Sequence, residues 1–228
     1  MRRGAAVALG LGLLLGACGG DDGGNGGSDE TAPASTTTSV PSATAVRLSR
    51  LLVRGPDLAD EGFRPAVVSR PFSAQRASRI RLCDEDIRAE LRIVAGRQSR
   101  FSDGSVEVSH TVTNGGDTND FLDAFETVVA DCPGPWTEPA LPAGGGPVTR
   151  EIIGAYPVPD VGVDGAGAII RSRNALGSTD TIVVVLVQAS VVSSLSVSGP
   201  EGSDFGVVDS AVQAAADRLL EAQSPAGP

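Results

Sequence analysis

The position of the first of three cysteines limits the fold of this chain more than any other feature. Cys18 closes an N-terminal segment that begins with Arg2 and Arg3 and continues as an almost wholly apolar run, Ala5 to Ala17. That run is too short to span a bilayer comfortably, and small residues before Cys18 are typical of a cleavage site. The pattern predicts an export signal over residues 1–17, which would place the rest of the chain outside the cytoplasm.

The sequence Leu15-Gly16-Ala17-Cys18 resembles the end of a bacterial lipoprotein signal, in which the cysteine thiol is lipidated and becomes the first mature residue. The resemblance implies acylation of Cys18, with palmitate as an expected label, and attachment to the outer face of the cell membrane. Because one acyl chain binds a membrane only marginally, stable attachment requires the multiple acylation that lipoprotein processing supplies. The alternative is an ordinary secretory signal with a cysteine at this place by chance.

Residues 18–45 are dominated after the cysteine by Gly, Ser, Thr, Asp and Pro, with almost no apolar side chains. Such a segment cannot bury enough surface to offset its ordering entropy, so it is predicted to be a disordered tether. Residues 46–223 are enough for one domain, and residues 224–228 are predicted to be a disordered tail.

Cys83 and Cys132 remain as an even pair in the oxidising compartment that an export signal implies. They are predicted to form a disulfide with a sequence separation of 49 residues. A loop of that length predicts a stabilisation of about 4 kcal/mol from chain entropy. The alternative is a metal or redox site, but the pair lacks CxxC spacing and has no histidine nearby.

The charge balance excludes several classes of function. The chain carries 18 basic and 28 acidic residues, a formal net charge of −10, and removal of the signal makes it more negative. A polyanion is a poor partner for nucleic acid, so no nucleic acid is expected to bind. All the basic residues are Arg, which excludes Schiff-base chemistry and a P-loop, because both require a lysine.

The bias toward Arg, Gly, Ala and Val is typical of a GC-rich genome, such as that of an actinobacterium.

The folded part combines helix and strand patterns. Predicted helices cover residues 46–53, 117–130 and 205–223, and the ambiguous pattern over 78–94 favours a helix after Cys83. Predicted strands cover residues 64–70, 98–113 as a hairpin turning at Asp103-Gly104, 148–155, 166–172, 182–187 and 190–198. The last two strands are expected to pair antiparallel. This order predicts an α+β domain built on an antiparallel sheet, with helices packed on one face and one disulfide.

A search for chemistry finds no enzyme signature. His110, the single histidine, lies on the apolar side of its predicted strand and is interpreted as a hydrogen-bonded core or cleft residue. No GxSxG elbow accompanies it. Gly165-Ala166-Gly167 lacks the third glycine and the strand-to-helix context of a dinucleotide loop. No catalytic residue, cofactor or metal site is therefore expected.

Several motifs in order resemble a known family. They are Leu51-Leu52 before Asp57-Leu58 and Gly62-Phe63, then Cys83, Asp120-Phe121-Leu122-Asp123-Ala124-Phe125, Asp131-Cys132-Pro133-Gly134 and Pro157-Val158-Pro159-Asp160-Val161-Gly162. Across residues 46–223 the chain resembles the extracellular sensor-like domain of actinobacterial receptor Ser/Thr kinases of the mycobacterial H type, and lipoproteins that share it. The resemblance implies an α+β domain with a sizeable cleft, an unidentified small ligand or envelope component, and no catalysis.

The chain departs from that family in two places. The kinase version carries a second disulfide, for which this chain has no cysteines after Cys18, Cys83 and Cys132 are assigned. Relatives often read Gly-Asp where this chain reads Val161-Gly162-Val163-Asp164. No ligand contact is therefore carried over from the family.

The expected function is a non-catalytic, membrane-anchored ligand-binding or sensor-like module at the cell envelope. Its ligand would occupy an apolar-walled cleft, with His110 and arginine side chains as polar groups. One alternative is a lipid or glycolipid carrier, which needs a closed hydrophobic cavity. Another is a protein-docking module, which needs an exposed apolar patch of several hundred Å². An enzyme is the least favoured class.

Overall fold

A computed structural model describes residues 43–71, 82–83, 85, 95–114, 118–138 and 146–222. Its helices are α1 (Ala43–Arg50), α2 (Thr118–Asp131) and α3 (Val207–Glu221), with a 3₁₀ turn at Gly55–Leu58. Its strands are β1 (Arg64–Pro71), β2 (Ala95–Ser102), β3 (Glu107–Asn114), β4 (Trp136–Glu138), β5 (Val148–Ala155), β6 (Asp164–Asn174), β7 (Gly177–Gln188) and β8 (Val191–Pro200). The predicted signal, Cys18, the tail and most of the helix predicted after Cys83 lie outside the described residues.

The eight described strands form one antiparallel sheet in the order β1-β2-β3-β8-β7-β6-β5-β4. The predicted α+β class and the antiparallel pairing of β7 with β8 are confirmed.

The predicted hairpin at Asp103-Gly104 is confirmed as well. There the Asp103 carboxylate accepts the backbone N–H groups of Ser105 and Val106, at 2.7 and 2.8 Å. Gly104 has a φ of +104°, a conformation that side chains disfavour.

Helices cover both faces of the sheet. Val184 and Leu186 of β7 point toward a core shared with α1 and α3, which defines the α1/α3 face. Val185 and Val187 point the opposite way and pack with Phe125 of α2, which defines the α2 face. The structure therefore differs from the expected arrangement with helices on one face only. Since β7 is apolar on both faces, each face needs its own cover in water.

The α1/α3 face carries the larger described core. Small residues such as Ala211 and Ala215 are fully buried along α3, which lets this helix pack closely on the sheet. Helix α1 begins at Ala43, three residues before the predicted domain start, and ends at Arg50 rather than Val53. The buried run Leu51, Leu52 and Val53 then leaves the helix and fills the core beside β2 and β3.

Within the described residues, no helix is long and apolar enough to cross a membrane.

The disulfide between Cys83 and Cys132 is confirmed, with the two Cα atoms 5.8 Å apart. It joins the segment between β1 and β2 to the residue that follows α2. Leu82 and Trp136 are both buried in the same apolar cluster on the α2 face. The bridge therefore anchors a long connection to the helix that covers this face. Trp136 also starts β4, a three-residue edge strand that the sequence patterns did not predict.

Candidate functional site

A groove of about 450 Å³ opens between α2 and the adjoining ends of β5 and β6. One wall consists of α2 side chains, of which Phe125 is buried and Val129 is half-buried. The opposite wall consists of Ala155, Tyr156 and the segment over 165–167. Its volume lies within the roughly 300–1,000 Å³ range of small-ligand sites.

Two glycines allow the chain to pack tightly beside this groove. A Cβ atom on Gly165 would lie 2.6 Å from Cδ2 of Leu186, and a Cβ atom on Gly167 would lie 2.9 Å from the carbonyl oxygen of Tyr156. Tyr156 also donates its backbone N–H to the Gly167 carbonyl at 2.9 Å. The segment Gly165-Ala166-Gly167, which the sequence analysis compared with a dinucleotide-binding loop, lies within β6. Its glycines leave room for the neighbouring atoms of Leu186 and Tyr156.

A polar contact fixes the wall that Tyr156 contributes. The Tyr156 hydroxyl donates to Oδ1 of Asp209 at 2.6 Å, which connects the end of β5 to α3. Burial, with the Asp209 carboxylate as acceptor and nearby negative charge, raises the pKa of Tyr156 above its ordinary value. The phenol therefore stays protonated at neutral pH and keeps this bond.

The lining of the groove is mostly apolar. Among the residues that line it, Glu126 is the one with an ionisable acid or base at neutral pH. The remaining residues offer aliphatic and aromatic surface together with glycine and alanine backbone. Chemically, the groove can take up an apolar or amphipathic small molecule.

A second surface on the α2 face is polar. Cross-strand register places Arg100, Ser109 and Ser196 side by side in one row across β2, β3 and β8. The adjacent row contains Gln98, Thr111 and Ser194. These six residues are called the polar grid below. In the same two rows β7 contributes Val183 and Val185, whose apolar side chains pack in the α2 cluster.

The contacts of the polar grid are concentrated at its β2 side. The Gln98 side chain is buried, donates to the Ser109 hydroxyl at 2.9 Å, and accepts from the Arg70 guanidinium. Arg100 forms an ion pair with Glu107, with Nη2 and Oε1 3.3 Å apart. The side chain of Arg100 is only 13% exposed, and its buried Nε has no hydrogen-bond partner among the described residues.

His110 lies in the core, so the structure selects the first of the two alternatives that the sequence left open. The ring is completely buried; Nδ1 accepts the Val53 backbone N–H at 2.9 Å, and Nε2 lies 2.7 Å from the Ser193 hydroxyl. Burial lowers the pKa of His110 to about 3, with Arg218 lowering it further and Asp57 opposing. The neutral ring therefore donates from Nε2 to Ser193. His110 lines neither the groove nor the polar grid.

The other predicted site residues are placed as follows. Cys18 is outside the described residues, and Cys83 and Cys132 form the disulfide. In the part of the chain that the structure describes, no group of three or more His, Cys, Asp or Glu residues could hold a metal ion.

Sequence reasoning did not identify either surface on the α2 face. The polar grid had a partial signal, because Ser109 and Thr111 alternate with buried residues along β3. The groove had no signal in the sequence. Its lining residues, such as Val129 and Tyr156, are distant in sequence, and only the folded sheet brings them to the same groove.

No family model matches the sequence, and no curated protein matches it either. Among solved structures, the extracellular domain of PknH from Mycobacterium tuberculosis is similar, with a TM-score of 0.53 and 15% sequence identity. That match covers 79% of this chain and 97% of the other chain. A putative uncharacterized protein from Mycobacterium smegmatis, an Rv0999 ortholog, matches with a TM-score of 0.42 and 8% identity, over 75% of this chain and 96% of the other. The chain thus shares the fold of the PknH extracellular domain.

Proposed function

We propose that this protein is an extracytoplasmic, lipid-anchored module that binds a small apolar or amphipathic molecule in the groove between α2 and β5–β6. The observation that carries the proposal is the groove itself, about 450 Å³ in volume and walled by Phe125, Val129 and Tyr156. Apolar walls with few polar groups are the common composition of small-molecule sites. The ligand would gain affinity chiefly by removing this apolar surface from water.

The groove favours a bound small molecule over the other classes considered. It is open along one side, whereas a lipid carrier would need to enclose acyl chains. The large exposed apolar side chains among the described residues lie on four different elements: Val68 on β1, Ile153 on β5, Leu176 between β6 and β7, and Leu220 on α3. That distribution does not favour a single apolar docking patch.

The extracytoplasmic location rests on three observations. The N-terminal pattern ends at Cys18 as lipoprotein signals do. The Cys83–Cys132 disulfide is typical of chains that fold in an oxidising compartment. The fold is shared with a domain described as extracellular.

The groove can be tested with N-phenyl-1-naphthylamine, a neutral dye whose fluorescence rises in apolar sites. Titration of the purified full-length chain should give saturable fluorescence. Ala130→Phe would fill the groove from its exposed rim and should weaken dye binding at least about fivefold, since overlap with bound dye removes apolar contact. Thr127→Phe is the matched control, because Thr127 is exposed on α2 and does not line the groove.

Two results would contradict binding in the groove. One is the absence of saturable fluorescence, and the other is an equal loss of affinity in Ala130→Phe and Thr127→Phe. Circular dichroism and thermal unfolding of both variants would exclude misfolding as the cause of any difference.

The anchor requires a separate experiment. Cells expressing the chain should incorporate labelled palmitate into it, and Cys18→Ala should abolish both the label and membrane fractionation. Cys132→Ala is a useful control, since it removes a cysteine that the proposal does not acylate. Unchanged labelling and fractionation in Cys18→Ala would rule out this anchor.

A further inference from the structure

The polar side chains that line the groove between α2 and β5–β6 offer a ligand hydrogen-bond acceptors. Among the described residues of the lining, only Glu126 and Tyr156 have polar side chains. The single hydrogen of the Tyr156 hydroxyl is donated to Asp209, so the oxygen has only lone pairs left to offer. The Glu126 carboxylate likewise accepts hydrogen bonds and donates none. The side chains of this lining therefore suit a ligand group that donates.

The carboxylate of Glu126 is not neutralised by another side chain. Within the part of the chain that the structure describes, it takes part in no hydrogen bond and no ion pair. Carboxylates elsewhere in the molecule do have such partners, since Asp57 pairs with Arg218 and Asp180 pairs with Arg171. Glu126 therefore keeps its full capacity to bind a cationic group beside the groove.

The groove changes from apolar to polar between its buried side and its rim. Phe125 is buried and Val129 is half-buried, whereas Glu126 and Ala130 are exposed to solvent. All four residues lie within two turns of α2, so the buried ring and the exposed carboxylate belong to the same wall. A ligand with its apolar part against Phe125 would thus have its polar end at the rim, where Glu126 lies.

The surrounding charge also favours a cation over an anion. Helix α2 contains Asp123, Glu126 and Asp131 and no basic residue, and the whole chain carries a formal net charge of −10. Such a field raises the local concentration of cations and repels anions. Phe125 and Tyr156 add aromatic rings to the lining, and the face of an aromatic ring attracts cations. Charge and lining therefore select for the same kind of ligand group.

We infer that the groove selects an amphipathic small molecule that carries a cationic amine. The ammonium group pairs with Glu126 at the rim, and the apolar body lies against Phe125, Val129 and Tyr156. This inference rests on the proposed function and specifies the charge of its ligand. An ammonium group donates charge-assisted hydrogen bonds to a carboxylate, whereas a fatty acid or another anionic amphiphile is repelled by it.

Three matched ligands test the inference. 4-Phenylbutylamine, 4-phenylbutanol and 4-phenylbutanoate share one apolar body, and at neutral pH their end groups are cationic, neutral and anionic. Calorimetric titration of the full-length chain should give the tightest binding for the amine. It should bind at least about fivefold more tightly than the carboxylate, because a charge-assisted hydrogen bond replaces a repulsion. Physiological salt limits the contribution of distant charges, since it screens interactions beyond about 8 Å.

Variants of α2 then assign the selectivity to Glu126. Glu126→Gln should reduce the preference for the amine over the carboxylate to about twofold or less, and Glu126→Arg should reverse it. Asp123→Asn is the matched control, because Asp123 is an exposed carboxylate of the same helix that does not line the groove. It removes the same charge and should leave the preference as in the parent chain. Circular dichroism of all three variants checks that they fold.

Three outcomes would overturn the inference. They are no binding of 4-phenylbutylamine at millimolar concentration, affinity for 4-phenylbutanoate equal to or above that for the amine, and an equal loss of selectivity in Glu126→Gln and Asp123→Asn. If Glu126→Gln fails to fold, Glu126→Arg decides the question, since it should invert the preference. Saturable dye fluorescence alongside any of these outcomes would leave the proposed function intact. Absence of that fluorescence would contradict the proposed function itself.

Discussion

Nδ1 of His110 accepts the backbone N–H of Val53 across 2.9 Å in the fully buried core, 57 residues away in sequence. The contact attaches the chain that follows α1 to the centre of the sheet. Ser99 strengthens the same connection by donating its hydroxyl to the Val53 carbonyl at 3.2 Å. The single histidine therefore has a structural role, because it accepts the Val53 N–H, which would otherwise be buried without a partner.

This contact predicts a pH-dependent stability. Burial holds the pKa of His110 at about 3 in the folded chain, against 6.5 for the unperturbed group. The unfolded chain therefore binds a proton first, and the stabilisation is complete above pH 6.5 and declines as the pH falls toward 3. At pH 4.5 the free energy of unfolding should be lower by about 2–3 kcal/mol from this group, at roughly 1.4 kcal/mol per pKa unit.

His110→Asn isolates that contribution, because the Asn carbonyl can still accept from Val53 but does not titrate. Urea unfolding at several pH values should give a shallower decline between pH 6.5 and 4 for the variant than for the parent chain. Parallel pH profiles for the two proteins would be incompatible with a neutral, buried His110.

The glycines of β6 should be intolerant of side chains. Gly165→Ala and Gly167→Ala each place a Cβ atom below 3.0 Å from neighbouring atoms, so each should lower the free energy of unfolding by about 1–3 kcal/mol. Gly154→Ala in β5 is the matched control, because a Cβ atom added there would meet nothing within 4 Å among the described residues. Denaturant unfolding measures all three; a cost at Gly154 equal to that at Gly165 would refute this packing.

Removal of the disulfide should cost substantial stability. The bridge closes a separation of 49 residues, so the double variant Cys83→Ser/Cys132→Ser should lose about 4 kcal/mol of unfolding free energy. The parent chain treated with a reductant should approach the variant. A loss below about 1 kcal/mol in guanidinium unfolding would mean that other contacts already fix α2.

A partly buried ion pair should couple α3 to the 3₁₀ turn. Arg218 makes a bidentate contact with Asp57, with the shortest distances at 2.7 Å. A double-mutant cycle with Arg218→Gln and Asp57→Asn should give a coupling energy of about 1–2 kcal/mol, since charge-assisted bonds at low exposure exceed neutral ones. A cycle on the exposed pair Arg173–Glu151 should give less than about 0.5 kcal/mol. Similar values for the two pairs would contradict the role of burial.

Local patterns were sufficient to predict the elements that depend on them. The period of Phe121 and Phe125 predicted α2, and the continuous apolar run through Val184 predicted the strand that became β7. The cysteine pair and the compartment implied by Cys18 predicted the disulfide without knowledge of the fold. Each of these predictions uses only a short segment or the amino-acid composition, so none of them requires knowledge of long-range contacts.

Long-range packing explains what the sequence did not predict. An apolar β7 shows that both faces are covered, but not that α2 takes the face opposite α1 and α3. The partners of His110 come from the end of α1 and from β8, and the atoms close to Gly165 and Gly167 come from β7 and from the end of β5. Such contacts depend on strand order, which hydrophobic periodicity does not encode.

The most direct test of ligand binding in the groove is chemical-shift mapping of the ¹⁵N-labelled chain with N-phenyl-1-naphthylamine. Saturable shifts should concentrate on residues 125–130 of α2, on 155–158 and on 165–167, with little change around His110 or Arg173. Shifts confined to other parts of the molecule, or none at saturating dye, would contradict the proposed binding function.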